Sequence, residues 1–237
     1  MKKKLLLLIT TLITINSYSQ ITFEKGYFIY DSGLKVECLI KNIDWSNNPS
    51  EFEYKLSEDS DQKKVTIKTI KEFGIYNASR YQKSKVKIDR SSEKIGDLTY
   101  NRKPILKEEV LFLKVLIEGK ANLYAYKDGN LNRFFYNIEA SNIEQLIFKK
   151  YKNNENDIKK NSRYKQQLWT DLQCTNLKMS DIESLKYKQN SLIDFFSKYN
   201  ECENATFKSY EKNKEKDLFN LTLRPRLNSS SLSITKN

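Results

Sequence analysis

The sequence predicts a mainly β chain with a small α-helical C-terminal unit: an antiparallel sandwich or meander, then a short disulfide-stapled helical bundle and a terminal strand. Three observations lead there. Residues 21–150 break into about nine short segments of alternating or continuous apolar character, separated by hairpin-length turns. Past residue 161 the apolar period changes from two to about 3.6. Two cysteines, Cys174 and Cys202, bracket most of that second stretch. The organisation read from these changes is a leader at 1–19, a β domain at 20–151, a linker at 152–161, a helical unit at 162–204, a charged linker at 205–217 and a barrel-like strand or disordered tail at 218–237.

The leader comes first. Lys2, Lys3 and Lys4 precede an apolar run at 5–15, and small residues at Ser17 and Ser19 mark cleavage before Gln20. A spanning helix needs about twenty apolar residues, roughly twice this run, so a cleaved export signal is predicted rather than an anchor. The first cysteine is Cys38, too far away for lipid attachment at the junction. No later apolar run approaches that length, so no transmembrane helix is expected in the exported chain.

Within the β domain, residues 26–30 and 34–40 flank the hairpin signal Asp31-Ser32-Gly33. Leu34, Val36, Cys38 and Ile40 alternate with Lys35, Glu37 and Lys41, the pattern of a half-buried strand. A loop around Trp45 leads to strands at 52–56, 65–70, 73–76 and 86–88. Residues 110–117 are apolar at nearly every position, interrupted by Lys114, as expected of a central strand covered on both faces. Strands at 123–126 and 133–136 then flank Asp128-Gly129, a strong turn signal. Tyr124, Tyr126, Phe134 and Tyr136 on this hairpin have two readings, core packing or an aromatic ladder that grips sugars. A one-residue change of register decides between them, and core packing is the commoner use. Trp45 is a further candidate ligand contact on its polar loop.

In the helical unit Tyr164, Leu168 and Leu172 recur at helical spacing, Ser180 and Glu183 read as a capping box, and Ser191 as the cap of a helix carrying Leu192, Phe195, Phe196 and Tyr199. Each of Cys174 and Cys202 lies just past a predicted helix end, and export permits oxidation, so a bond between them is expected, worth roughly 3 to 4 kcal/mol in the loop-entropy picture. The rival, a metal site, has only two thiolates and no histidine to draw on. Cys38 is left over as a buried thiol.

Composition removes whole classes of chemistry. The 237 residues include no histidine, which excludes histidine-based triads and histidine-ligated metals. The six glycines fit neither phosphate-binding motif. No catalytic residue, metal or cofactor is predicted; Glu51 and Glu53 share a strand face, but adjacent glutamates on a polar strand are ordinarily solvated. The net charge of +12 comes from 42 basic and 30 acidic residues spread along the whole chain, so no basic patch and no nucleic-acid partner are expected. Weak attraction to anionic lipid or polysaccharide stays open.

Phe219, Leu221 and Leu223 alternate with Asn220, Thr222 and Arg224, which fits a transmembrane barrel strand or an edge strand of the soluble sheet. One strand alone cannot cross a bilayer. The leader ending Ser17-Tyr18-Ser19-Gln20, the hairpin opening at Gly26, the helix from Tyr164 to the region of Cys174, the stretch Phe195 to Cys202 and the Arg224-Pro225-Arg226 wording resemble Gram-negative envelope proteins in which a soluble N-terminal region precedes an outer-membrane β-barrel. The resemblance implies an interaction module in the periplasm or at the outer membrane, with outer-membrane or periplasmic proteins as partners, and a barrel beginning near Phe219. Envelope glycans or peptides are the partners of the alternative reading that uses the aromatic hairpin. The chain stops where that barrel would continue, so a truncated or barrel-less form is the expectation.

Overall fold

Gly33 takes φ +90° in the turn between β1 (Phe23–Tyr30) and β2 (Lys35–Lys41), the conformation its missing side chain permits, and fixes the first antiparallel register. In this computed structural model, which describes residues 22–210, the strands continue as β3 (Glu51–Lys55), β4 (Lys63–Thr66), β5 (Ile70–Ile75), β6 (Ser79–Asp89), β7 (Leu106–Glu118), β8 (Ala121–Asp128), β9 (Leu131–Ile138) and β10 (Glu144–Gln145). The sheet order is β10-β9-β8-β7-β6-β5-β1-β2-β3-β4, so two meanders share one antiparallel sheet through the β1–β5 pair. That pairing needs Gly26: a Cβ there would come within 2.4 Å of the Gly74 carbonyl oxygen. The stretch 65–70, expected as one strand, instead breaks at a turn in which Thr69 N–H donates to Thr66 O, and the chain restarts in β5 with Ile70 fully buried.

Register sorts the side chains onto two faces. Phe28, Ile40, Phe52, Phe73, Tyr81 and Phe112 lie on one face and form a core. Phe52 and Phe73 stack at 4.2 Å although β1 and β2 lie between their strands, so this half of the sheet curls onto itself. Asn48 fastens the curl: its amide donates to the carbonyls of Phe112 and Ala125 at 2.8 and 2.9 Å and accepts from Lys127 N–H at 3.0 Å. On the opposite face Val86, Ile88, Leu113, Val115, Tyr124 and Phe135 make a second core. There Asp89 N–H donates to Gln145 Oε1 at 2.7 Å, bringing β10 back to β6.

Helices α1 (Tyr164–Asp171), α2 (Met179–Ser184) and α3 (Gln189–Cys202) pack on the first face over β7–β9. A bulge between Val115 and Ile117 gives both Leu116 and Ile117 to this third core, with Leu123, Phe134, Tyr136, Leu168 and Phe196. The helices therefore share the sheet's core. Their caps differ from the sequence reading: Asp181 accepts Lys178 N–H at 2.8 Å at the start of α2, and α3 begins two residues before Ser191. The Cys174–Cys202 disulfide forms with Cα atoms 6.4 Å apart, and Cys202 is the last residue of α3.

Residues 152–161 were expected to be a linker for want of apolar side chains. They belong to a hairpin of β11 (Lys149–Lys152) and β12 (Ile158–Asn161), held by polar groups: Lys149 Nζ donates to Lys103 O and Asn161 Nδ2 to Arg102 O, each at 3.0 Å. Within the stretch 205–217 a short β13 (Lys208–Ser209) pairs with the end of β7. The leader at 1–19 and the barrel-like stretch at 218–237 lie outside the described residues.

Candidate functional site

The structure separates the four aromatic residues of the β8–β9 hairpin. Tyr124 pairs with Phe135 and Leu123 with Tyr136, so Tyr124 and Tyr126 face one core while Phe134 and Tyr136 face another. All four are buried, so of the two readings of this hairpin the structure shows core packing, the commoner one, and leaves no aromatic ladder on its surface. Burial holds the Tyr136 phenol above its ordinary range, reinforced by its hydrogen bond to Asp171. Trp45 is half-buried and sits edge-on to Phe73 and Tyr81 at 5.7 and 5.6 Å, as a cap on the first core. One flank of it lines a hollow of about 240 Å³ shared with Ala78, Ser79 and Tyr210.

That hollow adjoins a larger cleft of about 560 Å³, walled by Tyr27 of β1, Lys35 of β2, Glu72 and Ile75 of β5, the turn at Tyr76 and Asn77, Arg80 of β6 and Tyr210 beyond β13. It opens on the face that the first curl leaves outside. Tyr27 alternates with the core residues Gly26 and Phe28, so its ring must lie outward, against Gly74. The Tyr27 and Tyr76 rings stand 5.4 Å apart at 34°, and Tyr76 is 45% exposed. Lys35 Nζ lies 4.5 Å from the Tyr27 ring centre.

Arg80 organises the floor. Its Nε and Nη2 donate to the two oxygens of Glu72 at 2.9 and 2.8 Å, a bidentate pair, while Nη1 reaches Glu118 at 2.5 Å and the Tyr210 hydroxyl at 3.2 Å. Tyr27 donates to Glu72 at 2.6 Å and Tyr210 to Glu118 at 2.8 Å. At the rim, Tyr76 donates to Glu37, which also pairs with Lys35 at 2.7 Å. Burial pushes the Tyr27 phenol upward, and its bond to Glu72 adds to this. Burial works to raise Glu118 too, but the hydrogen bonds from Arg80 and Tyr210 outweigh it and hold the carboxyl below its usual value.

The outcome is a set of ring faces and polar groups locked before any ligand arrives. Each cleft carboxylate already faces a cation and a phenol, and what the arrangement offers chemically is a fixed surface for a polar partner. The residues that build it stand far apart in sequence, Tyr27 from Tyr210 above all. The one local signal was an aromatic residue on the outward side of an otherwise core-facing strand.

The other candidates resolve simply. Glu51 pairs with Lys64 at 2.5 Å and Glu53 with Lys41 at 2.6 Å, cross-strand ion pairs that neutralise both. Cys38 is buried and unbonded, and burial pushes its thiol up to about 12. No cluster of three or more metal-ligating side chains occurs among the described residues, and no described helix is long and apolar enough to cross a membrane. No family model matches the chain, and no curated protein or solved structure matches it.

Proposed function

We propose that this is an exported, non-catalytic cell-envelope binding module that holds a segment of envelope glycan in the Tyr27–Tyr76–Tyr210 cleft. The observation that carries the reading is the pair of Tyr27 and Tyr76 rings, 5.4 Å apart, with each hydroxyl fixed on a carboxylate at the edge of the cleft. Sugars combine apolar C–H faces with hydroxyls, and rigid amphipathic rings offer contact area at small entropic cost. Lys35 and Arg80 pair with Glu37, Glu72 and Glu118, and with Lys208 over the Tyr210 ring the cleft holds three cations against three carboxylates, a balance that favours a neutral polymer over an anionic one. Export is supported by the basic and apolar pattern of residues 1–19 and by the Cys174–Cys202 bond. Tethering to an outer-membrane barrel is the wider setting, supported by the alternation from Phe219 to Arg224.

The test is a titration of the protein with soluble fragments of envelope polysaccharide, followed by Trp45 and tyrosine fluorescence. Tyr76→Ala is expected to weaken binding about tenfold or more, as loss of a central aromatic contact does. Tyr124→Ala, a core change, serves only as a control for stability. Saturable quenching that Tyr76→Ala leaves intact, or no quenching by any neutral glycan, overturns the assignment.

A further inference from the structure

We infer that the end of the molecule formed by the 94–107 segment and the β11–β12 hairpin docks on an anionic lipid bilayer. The two segments are bound together: Lys152 N–H donates to Thr99 O at 3.0 Å, Asn161 Nδ2 to Arg102 O at 3.0 Å, and the Tyr100 hydroxyl to Asn156 at 2.8 Å. Residues 94–107 and 149–165 hold eleven basic residues against three acidic ones, a surplus of eight out of the chain's +12. Charge that is spread thinly along the sequence is thus gathered by the fold, and the expectation of no basic patch is revised.

Between these segments and α1 lies a concavity of about 510 Å³, lined by Arg102, Lys103, Asn161, Arg163, Lys165 and neighbours, with no carboxylate in its wall. The side chains of Arg102, Lys103 and Arg163 are exposed and make no ion pair among the described residues. Lys165 Nζ is turned to the Glu183 carbonyl at 2.5 Å. Of the nearby carboxylates, Glu93 takes Arg133 and Lys150, Asp157 takes Lys159 and Glu108 takes Lys85, while Asp97 and Glu155 form no ion pair among the described residues and lie outside the wall of the concavity. This contrasts with the Tyr27 cleft, where Lys35 and Arg80 each have a carboxylate and Lys208 stands over the Tyr210 ring.

Charge alone would suit any polyanion. The same two segments also expose Ile95 (67%), Tyr100 (61%), Ile105 (58%) and, less fully, Leu106 and Ile158. Large aliphatic side chains next to unpaired cations suit a surface that is anionic outside and hydrocarbon beneath, where the cations meet phosphates and the aliphatics enter the interface. A soluble polyanion would give the aliphatics nothing. The inference does not depend on the glycan reading, since no residue of that cleft takes part.

The experiment is flotation of the chain from Gln20 onward with neutral phosphatidylcholine vesicles and with vesicles carrying about a third phosphatidylglycerol. Binding to the anionic vesicles alone, weakening with salt, is expected. Arg102→Ala, Lys103→Ala and Arg163→Ala together should lower the partition constant roughly a hundredfold, about fivefold for each cation near the bilayer. Ile95→Ser with Ile105→Ser should also lower it at unchanged charge. All five side chains are exposed, so the fold is expected to persist, checked by near-ultraviolet circular dichroism. Equal binding to neutral vesicles, unaltered binding by either variant, binding to heparin without binding to vesicles, or no binding at all would each overturn the inference.

Discussion

Asn200 near the end of α3 holds both backbone groups of Ala121 at the start of β8. Its Oδ1 accepts Ala121 N–H at 3.0 Å, and its Nδ2 donates to Ala121 O at 2.9 Å and to Phe196 O at 2.9 Å. The side chain is fully buried and acts as one rung of a sheet ladder supplied by a helix. It also explains Gly119, where a Cβ would meet Asn200 Oδ1 at 2.7 Å.

Truncating Asn200 leaves two buried backbone groups without partners, each costing about 1–3 kcal/mol. Asn200→Ala is therefore expected to destabilise by roughly 2–5 kcal/mol, lowering Tm on the order of 5–15 °C for a chain of this size. Asn200→Asp keeps the acceptor but loses the donor and adds a buried charge, so it should be no better. A melting curve within about 2 °C of the parent for either variant would show that the pairing contributes little.

Arg133 is fully buried and clamps the segment after β6: Nε donates to Asp89 O at 2.9 Å, Nη2 to Ser91 O at 2.8 Å, and Nη1 pairs with Glu93. Arg133→Ala strands both carbonyls and leaves Glu93 only the more distant Lys150 at 3.7 Å, with an expected cost of about 3–5 kcal/mol. The consequence should be local before it is global. Limited proteolysis is expected to cut within 94–105 in the variant at conditions where the parent resists, and an unchanged cleavage pattern would argue against the clamp.

Thiol counting tests the sulfur chemistry in one measurement. The native, unreduced chain is expected to take no iodoacetamide near neutral pH, because Cys38 is buried with its thiol pushed up to about 12 and the other two are bonded. Unfolding without reductant should expose one thiol, and with reductant three. Reduction should also lower unfolding stability by roughly 3–4 kcal/mol for a loop of this length. Labelling of two further thiols before reduction would contradict the bond.

Strands were legible where one face is wet and the other dry. Cys38 and Ile40 are buried as their alternation with Glu37 and Lys41 requires, and the apolar run of β7, interrupted by Lys114, is buried on both sides from Leu111 to Ile117 apart from that lysine. The full extent of β6 was not legible, since Gln82, Lys83 and Ser84 interrupt its apolar pattern while its backbone pairs with β7 through nine residues. The face of each β8–β9 aromatic hung on cross-strand register, which no local pattern carries. The Arg80 cluster joins side chains from four strands and the segment beyond β13, and the basic end gathers two stretches some fifty residues apart. Both exist only after long-range pairing, which explains why charge counted along the chain concealed the patch.

Acidification tests the Arg80 cluster. Hydrogen bonds from Arg90 hold Glu109 below its usual value, and those from Arg80 and Tyr210 together outweigh burial to lower Glu118. A carboxyl whose folded value is depressed adds stability above its unfolded value, near 4.5, and loses it as pH falls through the lower folded value. Thermal stability is thus expected to be level from about pH 7 to 5 and to decline below about 4.5. Glu118 is partly exposed, so its share is small, but Glu118→Gln isolates it. The variant should be less stable than the parent at neutral pH, and the gap should narrow as pH falls below 4.5 and close once the parent's carboxyl is protonated at its depressed folded value. Tyr210 loses its charged acceptor in both cases, so the fluorescence of the cleft should change with acid in the parent and start changed in the variant. Parallel stability curves across this range would show that Glu118 and Arg80 do not interact as their 2.5 Å separation implies.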